Sequence, residues 1–274
     1  MSIVQLCASH VDNGLRLRSL LRLLRSVVAQ TVRVPMYLSV SCDPLIWKDA
    51  HTAIDVDQLQ DYEITVRWRH NRMSQFEHYA LLTSELGLKY EWCILCDDDD
   101  YCHPNRVAWY MDAVISAEDV VMCSDGSLNV HCIGATDLEL DDLDTYAKEN
   151  PDSLGRGGNE HWMYAARTRI LRKFCNGIGM DVLKNVACDL VWRNLLRILD
   201  CKIVSTSTWV YAKTMVSSFG HASLSSDYGD DSIAAILNAC GPLLIRIAGV
   251  SPSIAAERLA YHSSYWQLAG SFVL

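Results

Sequence analysis

The sequence predicts an α/β fold: a mixed, mostly parallel sheet flanked by helices, with a helical C-terminal extension. Three observations carry this expectation. Apolar runs of strand length alternate with segments of helical period through the first 115 residues. The connections between those runs are long enough for the helical crossovers that parallel strands require. With 274 residues, 50% of them apolar and 21% charged, the chain has the material for one large core.

The elements follow in order. Residues 3–9 (IVQLCAS) form the first strand. Leu17, Leu20, Leu21, Leu24, Val27 and Val28 step along one face of a helix, and Arg16, Arg18, Arg22 and Arg25 are expected on its solvated face. Met36–Ser41 is the second strand, closed by Cys42-Asp43-Pro44, and Glu63–Trp68 is the third. Ser74-x-x-Glu77 has the form of a capping box and opens a helix to about Leu88. Glu91–Cys96 is the fourth strand, and Pro104 suits the first residue of the next helix. Strand-like runs follow at Asp119–Ser124 and Leu128–Ile133, then an acidic stretch, Asp137–Asn150, and a glycine-rich loop, Gly155–Gly158. A strand at His161–Ala166, a helix from Thr168, a helix at about Asp189–Leu199 and a strand pair within Lys202–Lys213 complete the domain. From about residue 230 the pattern is helical, with Ser251-Pro252 as a helix start.

Composition narrows the function classes. Lys and Arg number 24 against 33 Asp and Glu, for a net charge of −9, which argues against nucleic acid as a partner. There is no apolar run of about 18 residues and hence no transmembrane segment, and the start of the chain does not read as a leader, so a cytoplasmic location is expected. Eleven cysteines, an odd number without regular spacing, fit a reducing compartment. Cys93 and Cys96 lie three apart on one strand and so face opposite ways, which argues against a zinc pair.

The chemistry concentrates in Asp97-Asp98-Asp99-Asp100, directly after an apolar strand. Ligands of open parallel sheets bind beyond the carboxyl ends of the strands. Four adjacent carboxylates repel one another and stay ionised most readily beside a cation. Hard oxygen ligands favour Mn²⁺ or Mg²⁺, commonly shared with substrate phosphates.

The segment WCILCDDDDYCHPNRV resembles the DxD region of inverting, family-2-like glycosyltransferases of the GT-A (Rossmann-like) fold. The resemblance spans about residues 1–225, with 1–115 as a nucleotide-binding half and 116–225 as an acceptor half; residues 226–274 form a helical extension for which packing on the core, pairing in a homo-oligomer and lying on a membrane surface are open alternatives. It implies Asp97 and Asp99 as metal ligands, with His221 completing the site, and Asp98 at the donor. It implies Gly157 and Gly158 as the loop at the donor sugar. Cys188-Asp189 resembles the xED motif, whose Asp is the catalytic base, although Cys188 stands where the family has Glu; Glu160 is the runner-up base. Ser9, His10 and Asp43 are expected to wall the nucleotide pocket, Arg69 and Arg72 to meet the diphosphate or the base, and Trp162 to stack on the acceptor.

The implied activity is metal-dependent transfer of a sugar from a nucleotide diphosphate, with a UDP-sugar as first choice, to a hydroxyl of a glycan or glycoconjugate. Two alternatives stand beside it. One is a non-catalytic carbohydrate- or nucleotide-sugar-binding protein. The other, a Mg-dependent phosphohydrolase, is disfavoured because Tyr101 stands where the motif needs Thr or Val. Each candidate also has a plain structural role: Asp189 as a helix cap, Asp43 as a turn former, the tryptophans as core.

Overall fold

The computed structural model describes residues 1–123, 127–132, 140–155, 163–185, 188–199, 201–204, 209–216 and 230–266. Strand β1 (Ile3–Val11) is buried at every position but one, the pattern of a central parallel strand covered on both faces. Helix α1 (Gly14–Val28) follows, capped by Asn13, whose side chain accepts from the backbone N–H of Leu15 and Arg16. It starts a turn earlier than the apolar period indicates. The expectation of a solvated arginine face holds only for Arg18 and Arg25, which are exposed. Arg22 is buried and donates to Ser19 Oγ, and Arg16 reaches toward the aspartates. Long arginine stems lie along apolar surface and bring their heads to distant acceptors, which helical period alone does not show.

The chain continues through β2 (Met36–Cys42), two short helices that carry no periodic signal, α2 (Trp47–Ala53) and α3 (Val56–Gln60), then β3 (Ile64–Arg69), α4 (Gln75–Leu86) and β4 (Trp92–Cys96). The capping box of α4 is complete: Glu77 N donates to Ser74 Oγ, and Ser74 N donates to Glu77 Oε2. After β5 (Tyr101–Cys102), α5 (Arg106–Val114) begins two residues beyond Pro104, which corrects the expected start. The Pro104 carbonyl is instead engaged by the backbone N–H and the hydroxyl of Thr31.

Next come β6 (Val120–Cys123), β7 (Ser127–Cys132), α6 (Leu140–Glu149), β8 (Leu154–Gly155), β9 (Tyr164–Arg167), α7 (Thr168–Gly177), α8 (Met180–Leu183) and α9 (Cys188–Ile198). The last elements are β10 (Cys201–Val204), β11 (Tyr211–Val216), α10 (Asp230–Ala248) and α11 (Pro252–Trp266). The seven-stranded sheet has the order β10-β6-β9-β4-β1-β2-β3, parallel except at β9. A four-stranded sheet has the order β5-β11-β7-β8. The expected pair within Lys202–Lys213 is therefore corrected, because β10 joins the large sheet beside β6 while β11 joins the small one between β5 and β7.

Strand order decides where a site forms. From β1 the chain winds outward through β2 and β3, then returns to place β4 on the other side of β1. Neighbouring crossovers thus leave in opposite directions at β1 and β4, opening a crevice at their carboxyl ends. The core fills both faces of this sheet, with Trp92 and Trp192 almost fully buried. Helices α10 and α11 pack on α7 and α9: Cys240, Leu244 and Ala255 are buried, and Arg258 Nη1 donates to Ile198 O at 2.7 Å. Among the described residues no single helix is long and apolar enough to cross a membrane.

Candidate active site

The four aspartates begin where β4 ends, beside the end of β1. Register pairs Cys7 with Cys96, and continuing it brings Ser9 opposite Asp98. Ser9 Oγ donates to Asp98 Oδ2 at 2.6 Å. Arg16 Nη1 lies 3.4 Å from Asp98 Oδ1 and 2.9 Å from Asp99 Oδ2. Burial, then the charge of Asp99, pushes the Asp98 carboxyl up to about 7, against the pull of Arg16 and Ser9.

The other three carboxylates come together. One oxygen each from Asp97, Asp99 and Asp100 lies within 4.8 Å of the others. Three carboxylates held this close repel unless a cation sits among them, and their hard oxygens suit Mn²⁺ or Mg²⁺. The chain thus alternates: Asp97 and Asp99 join the triad while the middle residue, Asp98, bonds to β1 and α1. Asp100, 2% exposed, joins the triad in addition to the Asp97 and Asp99 pair that the resemblance implies.

The cluster is braced from several elements. Tyr211 OH accepts from Asp97 N at 2.7 Å and lies 3.0 Å from Asp97 O, to which it donates, so one phenol clamps the peptide of the first aspartate. Gln75 Nε2, in the first turn of α4, donates to Asp97 Oδ1 at 2.6 Å. Beneath the loop, Arg106 is fully buried; it donates to Leu95 O at 2.9 Å and to the Cys96 thiol at 3.1 Å. Hydrogen bonding from Cys102 and the Arg106 charge pull the Cys96 thiol down to about 6 despite its burial. Arg16, Gln75 and Tyr211 lie far from the aspartates in the chain, and Arg106, although only six residues beyond Asp100, gains its role from the Leu95 carbonyl and Cys96 thiol that folding brings to it, so none of the four is marked by the sequence.

Toward β2 and β3 lie the other expected residues. His10 Nδ1 is 2.8 Å from Ser41 Oγ, and His10 Nε2 is 3.3 Å from Asp43 Oδ1. Arg69 donates through Nε to Ser39 Oγ at 2.8 Å and through Nη1 to Glu85 Oε1 at 2.7 Å. Arg72 is exposed, and after burial its charge is the next influence lowering the His10 pKa. The chain thus brings Ser9, His10, Asp43 and Arg69 to the carboxyl ends of β1, β2 and β3. Asp189 stands in the first turn of α9, where its Oδ1 accepts from Leu190 N at 2.7 Å and its Oδ2 is 4.0 Å from Arg193 Nη2. Gly157, Gly158, Glu160, Trp162 and His221 lie outside the described residues.

Among known proteins, no protein-family model matches the chain. No curated protein matches it either. Solved structures do. Residues 1–349 of TarS from S. aureus in complex with UDP-GlcNAc give a TM-score of 0.60 at 13% identity, over 98% of this chain and 75% of that one. A second structure of the same TarS segment gives 0.59 at 12% identity, over 98% and 74%. The mannosyltransferase PcManGT from Pyrobaculum calidifontis, in complex with GDP-Man and Mn²⁺, gives 0.51 at 13% identity, over 98% and 76%. At such identities the likeness is one of fold: the chain has the GT-A architecture.

Proposed function

We propose that the chain is a metal-dependent, inverting glycosyltransferase that moves a sugar from a nucleotide diphosphate to a hydroxyl of a glycan or glycoconjugate. The observation that carries this reading is the Asp97, Asp99 and Asp100 triad at the carboxyl end of β4, at the β1/β4 switch point. Support comes from the fold shared with a mannosyltransferase solved with GDP-Man and Mn²⁺. Asp97, Asp99 and Asp100 would hold Mn²⁺ or Mg²⁺, with His221 as a further ligand. When bound, the ion supplies Lewis-acid stabilisation of the charge on the leaving diphosphate. Ser9, His10, Asp43, Arg69 and Arg72 hold the nucleotide, Asp98 the donor side of the loop, and Gly157 and Gly158 the donor sugar.

Asp189 is the proposed base. As the acceptor oxygen attacks the anomeric carbon, the bond to the diphosphate oxygen breaks on the opposite face and the hydroxyl proton passes to the Asp189 carboxylate. One in-line displacement without a protein nucleophile inverts the anomeric centre. Asp189 stands in the first turn of α9, where the helix dipole favours a negative charge, and Arg193 lies one turn below it. Trp162 is the proposed acceptor platform.

The test is thermal stabilisation by a panel of nucleotide sugars, UDP-sugars first, with and without Mn²⁺. The reading expects at least one sugar nucleotide to raise Tm by several degrees only when the metal is present. Equal stabilisation in EDTA would remove the metal from the account, and no stabilisation by any donor would remove the donor.

A further inference from the structure

A row of polar side chains crosses the sheet where β1, β2 and β3 end, and its hydrogen bonds run in one direction. His10, Ser41 and Arg69 are register partners across the three strands. Ser39 lies two residues before Ser41, on the same face of β2, and His78 meets both hydroxyls from α4. Arg69 Nε donates to Ser39 Oγ at 2.8 Å, and a guanidinium only donates. Ser39 is fully buried, and among the described residues its own proton has one acceptor, His78 Nδ1 at 2.8 Å. His78 Nδ1 is therefore unprotonated.

Burial, then the Arg69 charge, lowers the His78 pKa to about 4, so the ring is neutral and its single proton sits on Nε2. That nitrogen donates to Ser41 Oγ at 3.1 Å. Among the described residues Ser41 then has two acceptors for its proton, His10 Nδ1 at 2.8 Å and the Ser9 carbonyl at 3.5 Å. The shorter contact is the competent bond. His10 is left with its proton on Nε2, facing Asp43 Oδ1 at 3.3 Å. The two ends agree: a group that only donates starts the chain, and the N–H at its far end is turned toward a carboxylate, 3.3 Å away and not aligned as a hydrogen bond.

We infer that His78 is a positioning residue, fixing His10 through Ser41 in the Nε2–H tautomer so that His10 and Asp43 form a preset donor–acceptor pair. A second observation points to a ligand. Among the described residues, His10 Nε2 is buried without a well-aligned hydrogen bond, the 3.3 Å approach to Asp43 notwithstanding, and Arg69 Nη2 in the same row is buried and has no partner. A planar edge carrying adjacent C=O and N–H groups satisfies the imidazole and the carboxylate together. The inference rests on reading this corner as the wall of the nucleotide pocket, which makes that edge the nucleobase.

The experiment uses the full chain labelled with ¹⁵N-histidine and long-range ¹H–¹⁵N correlation of the imidazoles, beside donor kinetics. In the wild type, His10 and His78 are both expected as Nε2–H. Ser41→Ala cuts the chain between them, so His10 is expected to lose its single tautomer and KM for the donor to rise about three- to tenfold, with kcat within about twofold. His78→Gln keeps a donor toward Ser41 and is expected to retain the His10 tautomer. A wild-type His10 protonated on Nδ1 overturns the inference, as does a Ser41→Ala protein with tautomer and KM unchanged. Failure of the wild type to use any nucleotide sugar overturns the functional reading instead, and the spectra still decide the tautomer.

Discussion

Single side chains at the end of β4 divide into groups that bind and groups that hold. Asp99 belongs to the carboxylate triad and also contacts Arg16. Asp99→Asn is expected to abolish Mn²⁺-dependent donor binding and turnover while circular dichroism and Tm stay near wild type; turnover insensitive to EDTA in that variant contradicts the metal assignment. Asp189→Asn keeps a side-chain oxygen for Leu190 N, so it is expected to cost well under about 1 kcal/mol of stability. It cannot take a proton, so transfer is expected to fall about 10²–10⁴-fold with donor affinity intact. A rate within a few-fold of wild type would move the base to Glu160. His78 carries a pH signature of its own. Its folded pKa of about 4 lies below the unfolded value of about 6.5, so the unfolded chain binds the proton first. Stability from this group is present above pH about 6.5 and lost toward pH about 4, on the order of 3 kcal/mol. Thermal melts from pH 4 to 7 are expected to show a flatter profile for His78→Gln; parallel profiles would contradict a buried neutral ring.

At the scale of elements, boundaries were legible wherever a local interaction sets them. The Ser74/Glu77 capping box is readable because both partners lie within one turn, and α4 starts at Gln75 as that motif requires. Ser74 Oγ also lies 2.7 Å from Leu183 O, to which it donates, tying α4 to α8. Ser74→Ala is therefore expected to lower stability by about 1–2 kcal/mol, read from urea midpoints at unchanged m-value. A loss below about 0.5 kcal/mol would show that neither bond contributes. The helix ends at Gly87, whose φ of 59° favours glycine. Illegible features are those set by distant partners. The apolar stretch 202–213 holds two strands, yet nothing local tells that β10 pairs with β6 in one sheet and β11 with β7 in another. The short helices α2 and α3 span less than two helical periods each, too little for a pattern to emerge. The buried position of Arg106 depends on the Leu95 carbonyl and the Cys96 thiol, which only the folded sheet brings to it.

At the scale of the molecule, the fold class and the end of β4 as the site were legible, since both follow from apolar runs and the charge that interrupts them. The bracing of that site was not, because Arg16, Gln75 and Tyr211 reach Asp97–Asp99 from three other elements. The C-terminal helices are part of this whole. Leu243 and Ile247 lie against Gly177 of α7, where an added Cβ would meet their side chains at 3.7 and 3.6 Å. Removing residues 230–266 would strip α7 and α9 of cover. The truncated chain is expected to lose several kcal/mol of stability and bind hydrophobic dyes; a truncation that melts like the full chain contradicts that packing. Transfer from a nucleotide sugar can be followed through the anomeric proton by NMR in a reaction of the full chain with nucleotide sugar, Mn²⁺ and a glycan acceptor. The expected result is a donor signal that decays only with Mn²⁺ and a product signal whose coupling constant reports the inverted configuration. A product of retained configuration, or a donor signal unchanged across the panel, would contradict it.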